Sequence, residues 1–68
     1  MRKLKLHKLY RQGGGGYKTT IDGKEVLIEK QYCSNTWVAQ SGDGDIDLER
    51  EYLSEIKYVL ANAEVLHD

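Results

Sequence analysis

The chain has 68 residues, 40% hydrophobic and 31% charged, with a formal net charge of −1. A domain of this size hides only about 60% of the surface that its unfolded chain exposes, which leaves room for one small core. That excludes separate cofactor and substrate domains, and no apolar run approaches the roughly 20 residues needed to cross a bilayer.

Residues 3–10, KLKLHKLY, alternate Leu4 and Leu6 with Lys3, Lys5 and His7, the period of a half-buried strand. Leu9 falls out of phase, so a bulge or strand end is expected near Lys8. Gly13–Gly16 follows and is expected as a flexible hairpin loop, because glycine loses much backbone entropy on ordering. Residues 17–21, YKTTI, are β-branched and aromatic and read as the next strand. Asp22-Gly23 suits a two-residue type I′ turn, whose central positions both need positive φ. A strand over residues 24–32 then places Val26 and Ile28 on one face and Leu27 on the other. Ser34-Asn35 reads as a turn, and residues 37–40 as a further short strand.

From Asp47 the period changes. Leu48, Tyr52, Leu53, Ile56, Val59, Leu60 and Ala63 form one apolar stripe at helical spacing, which Leu66 extends. A helix over residues 48–65 is expected, about 27 Å long. Asp47 is its N-cap, and Glu49 and Glu51 lie in the first turns, where the helix dipole favours negative charge. The expected fold is α+β, a small antiparallel meander of three to four strands packed against one C-terminal helix. It forms a single domain over residues 1–68.

Chemistry-bearing motifs are sparse. Lys18-Thr19 after the glycines suggests a phosphate loop, but the pattern needs glycine where Gln12 and Tyr17 stand, and a strand rather than a helix follows. Backbone N–H groups between Arg11 and Lys18 remain a candidate anion contact. Asp43, Asp45 and Asp47 alternate as in a calcium loop, yet Leu48 and Ser54 occupy the positions that require glycine and glutamate. Cys33, His7 and His67 are too scattered for a zinc motif. Cys33 is expected as a small buried hydrophobe rather than a nucleophile. No enzyme activity, metal or cofactor is expected. The lone cysteine fits a reducing compartment, so the cytoplasm is the expected location.

The net charge conceals a division. Residues 1–32 carry eight basic and three acidic groups, net +5, whereas residues 33–68 carry two basic and eight acidic groups, net −6. One reading is that the two halves attract each other inside the fold; the other is that they form separate charged surfaces.

Two functions follow. The first is a small non-enzymatic interaction module, a regulator or inhibitor that binds a protein partner through an acidic helical face. Its candidate residues are Glu49, Glu51, Glu55 and Tyr58, since tyrosines dominate interface hot spots. The second is a nucleic-acid-binding domain of the phage or mobile-element accessory type, using the basic N-terminal sheet. Its candidate anion or nucleic-acid contacts are Lys3, Lys5, Tyr10, Arg11, Tyr17, Lys18 and Lys24, and Glu25 and Glu29 would share that outward face. In layout, strands followed by one helix, the chain is similar to the arm-binding domains of tyrosine recombinases. That resemblance implies a three-stranded sheet placed in the DNA major groove, and no functional residue is carried across. A homodimer through the sheet edge or the complementary halves is compatible with either function.

Overall fold

The structure, a computed structural model, describes residues 3–11, 14–31 and 33–62, without the side chains of Tyr10 and Arg11. In chain order the elements are β1 (His7–Arg11), β2 (Gly14–Ile21), β3 (Lys24–Gln31), β4 (Thr36–Ser41), β5 (Asp47–Arg50) and α1 (Leu53–Asn62). Each strand pairs antiparallel with its chain neighbour, giving one sheet in the order β1-β2-β3-β4-β5. The α+β meander with its C-terminal helix is therefore the fold, with five strands rather than three or four.

Turn chemistry sets the central register. Asp22 and Gly23 have φ of 50° and 81°, as a type I′ turn demands, and Ile21 pairs with Lys24 across it. Asn35 also takes a positive φ, 56°, in the turn that returns β3 into β4. Gly44 does so at 82°, in the loop between β4 and β5. There the backbone closes with Ser41 and Ile46 bonded N–H to O at 2.9 Å.

One row of cross-strand partners, Tyr17, Ile28, Ala39 and Leu48, runs from β2 to β5. Because side chains alternate along a strand, Thr19, Ile21 and Val26 share this face. Ile56 and Leu60 press onto it from α1, which lies over β4 and β5. Val26, Ile28, Ala39, Ile56 and Leu60 are fully buried, and each large aliphatic among them contributes about 1.5–3 kcal/mol relative to exposure. Tyr17 and Trp37 close one end of the core with rings 6.3 Å apart and tilted by 38°. The Thr19 hydroxyl is buried in this layer without a hydrogen-bond partner among the described residues.

The N-terminal strand starts later than expected. Residues 3–6 lie outside the ladder, yet Leu4 and Leu6 pack on the core while Lys3 and Lys5 stay exposed. The alternation of the sequence is thus realised in an unpaired segment, and of residues 3–11 only His7–Arg11 pair.

The glycine run is not a loop. Gly14–Gly16 form the start of β2, opposite Leu9, Tyr10 and Arg11; Gly13 lies outside the described residues. A Cβ at Gly16 would meet the Ile28 carbonyl oxygen at 2.5 Å, and one at Gly15 the Leu9 carbonyl oxygen at 3.0 Å. Here glycine permits close approach of two backbones, a role that has no side-chain period to betray it.

The helix was expected from residue 48. Instead Asp47–Arg50 is β5, and α1 begins at Leu53. Ile46 and Leu48 are buried while Asp47 and Glu49 are exposed, a strand alternation that the helical spacing of Leu48 to Tyr52 masked. Asp47 is accordingly no N-cap. The Tyr52 carbonyl accepts the first helical bonds, from Glu55 N–H at 3.1 Å and Ile56 N–H at 3.3 Å. Tyr52, placed in the core stripe by spacing, is 59% exposed. The expected helix end at 65, with Ala63 and Leu66, falls outside the described residues.

Gly16→Ala separates a strand role from a loop role by sign. Alanine in a permissive loop stabilises by about 0.4–1 kcal/mol. Here overlap with the Ile28 carbonyl should instead cost about 1–3 kcal/mol, read as a fall in the urea midpoint at constant slope.

Candidate functional site

Helix α1 turns Leu53, Ile56 and Leu60 inward. Its 3.6-residue repeat therefore sends Glu55, Tyr58 and Asn62 outward, and all three are exposed. Glu51 and Tyr52, just ahead of the helix, are exposed too. Tyr52 and Tyr58, at 59% and 70%, are the large apolar side chains most open to solvent among the described residues. The Asn62 amide donates to the Tyr58 carbonyl oxygen at 2.9 Å, tying the end of this face to the helix backbone. Glu55 lies in the first turn, where the unpaired N–H groups favour its charge.

The four residues expected at a protein interface therefore divide. Glu55 and Tyr58 share the outward side of α1, and Glu51 is exposed just ahead of the helix beside Tyr52, a residue the spacing assigns to the core. Glu49 lies on the opposite sheet face, paired with Val38 in the ladder. Its carboxylate accepts from the Thr36 hydroxyl at 2.5 Å. Thr36 is in turn 2.9 Å from the Ser34 hydroxyl, so Glu49 anchors a polar chain beside the β3–β4 turn.

The basic candidates are dispersed further. Lys3 and Lys5 are exposed on the N-terminal segment. Lys18 is on the outer sheet face, 4.0 Å from Glu25, and pairs in register with Leu27. Tyr17, its chain neighbour, points to the opposite face and packs on the core. Tyr10 and Arg11 belong to β1, but their side chains lie outside the described ones. The expected sharing of the outer face by Lys18, Glu25 and Glu29 is what the register produces.

Lys24 has a structural partner set. From the start of β3 its ammonium meets Asp43 at 3.1 Å and also pairs with Asp45, both in the β4–β5 loop. The Asp45 hydrogen bond, then that of Asp43, holds the lysine pKa above its ordinary value. Asp43 is also locked within its own loop. It accepts from the Ser41 hydroxyl at 2.6 Å and the Asp45 N–H at 3.1 Å. Those two bonds and then Lys24 bring its carboxyl down to about 2. The aspartate alternation thus builds a loop clamp, and no cluster able to hold a metal occurs among the described residues.

Cys33 is exposed in the β3–β4 turn, not buried as its residue type suggested. No helix of the described residues is long and apolar enough to cross a membrane. No family model matches the chain, and neither the curated proteins nor the solved structures yield a match. The layout likeness to recombinase arm-binding domains gains no support, since the sheet has five strands where those have three.

Because Asp43 is held below the usual carboxylate range, its stabilising effect is complete above about pH 4 and lost as pH falls toward 2. Asp43→Asn keeps the acceptor oxygen but deletes the charge. Its stability should be lower at neutral pH and depend less on pH between 4 and 2, as measured by urea midpoints across that range. An unchanged acid profile would show that the clamp does not act on folding.

Proposed function

We propose that this chain is a non-catalytic interaction module that regulates or inhibits a protein partner by occupying its surface. The supporting observation is the wide exposure of Tyr58, with Glu55 on the outward side of α1, and of Tyr52, with Glu51 in the chain just ahead of the helix. Exposed tyrosines bury large rigid areas at little entropic cost and concentrate binding energy. Flanking carboxylates add rate and orientation toward a basic surface. The partner chemistry that fits is therefore a basic protein surface with an apolar recess for the rings. The cytoplasm is the proposed setting, on the strength of the single cysteine.

The nucleic-acid reading has less to support it. Lys18 and Tyr17 face opposite ways, Lys24 is held by two aspartates, and Glu25 sits beside Lys18. A backbone-tracking surface needs its cations in one stripe.

The test is affinity for a captured partner, measured by titration with purified variants of unchanged fold. Tyr58→Ala should weaken binding about 30-fold or more, the scale of a hot spot. Glu51→Lys with Glu55→Lys should lower the association rate and its salt dependence. Glu49→Lys, on the other sheet face, should leave binding unchanged. Retained affinity in Tyr58→Ala and in the Glu51/Glu55 double reversal would refute the α1 mechanism.

A further inference from the structure

The edge of the sheet farthest from α1 carries a second feature. The ladder between β1 and β2 begins at the pair His7 and Lys18. Ahead of it the chain continues without pairing, Leu4 and Leu6 turned to the core and Lys3 and Lys5 exposed. Between this segment and β2 lies a cleft of about 270 Å³, lined by Lys3, Lys5, His7, Thr19 and Thr20. We propose that this cleft binds a tetrahedral oxyanion of the phosphate type.

The chemistry of the lining carries the proposal. The lining residues include two lysines and a histidine and no acidic residue. Neither Lys3 nor Lys5 has an ion pair with any described residue. In contrast, Lys18 and Lys24 are both matched by carboxylates. Two like charges two residues apart repel each other, and an anion seated between them removes that cost while accepting several hydrogen bonds. Thr20 is exposed, and its hydroxyl is a further donor. Thr19 lies on the core side of β2, in register with Val26, so its buried hydroxyl is not among the ligands proposed.

Size narrows the class. The cleft is about 270 Å³ and partly open to solvent, so it falls short of the pockets that enclose drug-sized ligands and leaves a phosphate group partly hydrated. Lysine binds phosphate as a point charge without the planar fork of arginine, which favours a terminal, rotationally free phosphate over a fixed bidentate geometry. Inorganic phosphate and a small phosphomonoester share this chemistry. The site is independent of the α1 face, since β1 and β5 are the opposite edges of the sheet.

The experiment is a titration of the full chain with inorganic phosphate at constant ionic strength, followed through backbone amide NMR shifts. Saturable shifts confined to residues 3–7 and 18–20, with a dissociation constant on the order of 1 mM, are expected. Lys3→Ser with Lys5→Ser, both exposed changes, should weaken binding at least tenfold; Thr20→Val should weaken it several-fold, with spectra otherwise native. A parallel titration with glycerol 3-phosphate distinguishes the sources: tighter binding than inorganic phosphate identifies a phosphomonoester, weaker binding the free anion. Absence of saturable shifts, identical shifts with sodium chloride, or full affinity in the double lysine variant would each overturn the proposal.

Discussion

Every strand of this sheet pairs with the strand beside it in the chain, and most other properties of the molecule follow from that uncrossed ladder. A meander converts position along the sequence into position across the sheet. The basic first half becomes the β1–β2 edge and the acidic second half the β5–α1 edge. Charges that average to near zero are thereby held apart in space. Where the halves do meet, through Lys24 with Asp43 and Asp45, they join two loops at one end of the sheet. An exposed arrangement of this kind contributes little through charge alone. Its effect is to hold the β4–β5 loop against the β2–β3 hairpin.

The core explains which surfaces remain for binding. It occupies one face of the sheet, under a helix that covers β4 and β5. With Leu53, Ile56 and Leu60 committed inward, Glu55 and Tyr58 have no route but outward. The candidate interface is thus a consequence of packing: the same helical repeat that fills the core selects the residues displayed. On the uncovered sheet face, Val38 is nevertheless buried, seated between its register partners Glu29 and Glu49. Side chains with aliphatic stems cover apolar surface in this way while keeping their charges in water.

Local signals were legible where one residue type has one conformational use. Asp22-Gly23 announced its turn because few residues accept positive φ at both positions. The inward Leu4 and Leu6 and the outward Lys3 and Lys5 were also readable, since alternation states burial even where the ladder does not form. Other features were concealed by ambiguity of period. Leu48 fits the helical stripe toward Tyr52 as well as the strand alternation with Ile46, and neighbouring β4 decided for the strand. Gly14–Gly16 carry no side chains and hence no period, so their place in β2 emerged only from the partners on either side. Cys33 is misplaced for a related reason: residue type states a preference for burial, and the exposed turn after β3 overrides it.

The candidate α1 face was partly visible in advance. Glu51, Glu55 and Tyr58 were identifiable from charge and from their position off the apolar stripe, whereas Tyr52 was hidden by the assumed helix start. Glu49 was grouped with them by sequence proximity and separated from them by the extra strand. What the sequence by itself determined is local and additive: composition, the sign of each half, the hairpin turn, and the α+β class with its inward aliphatic residues. What the tertiary structure decided is which residues share a face. That depends on strand register and on the point where the chain changes period, both set by contacts between residues distant in sequence. A one-residue difference in either exchanges one surface for the other, and no local pattern records it.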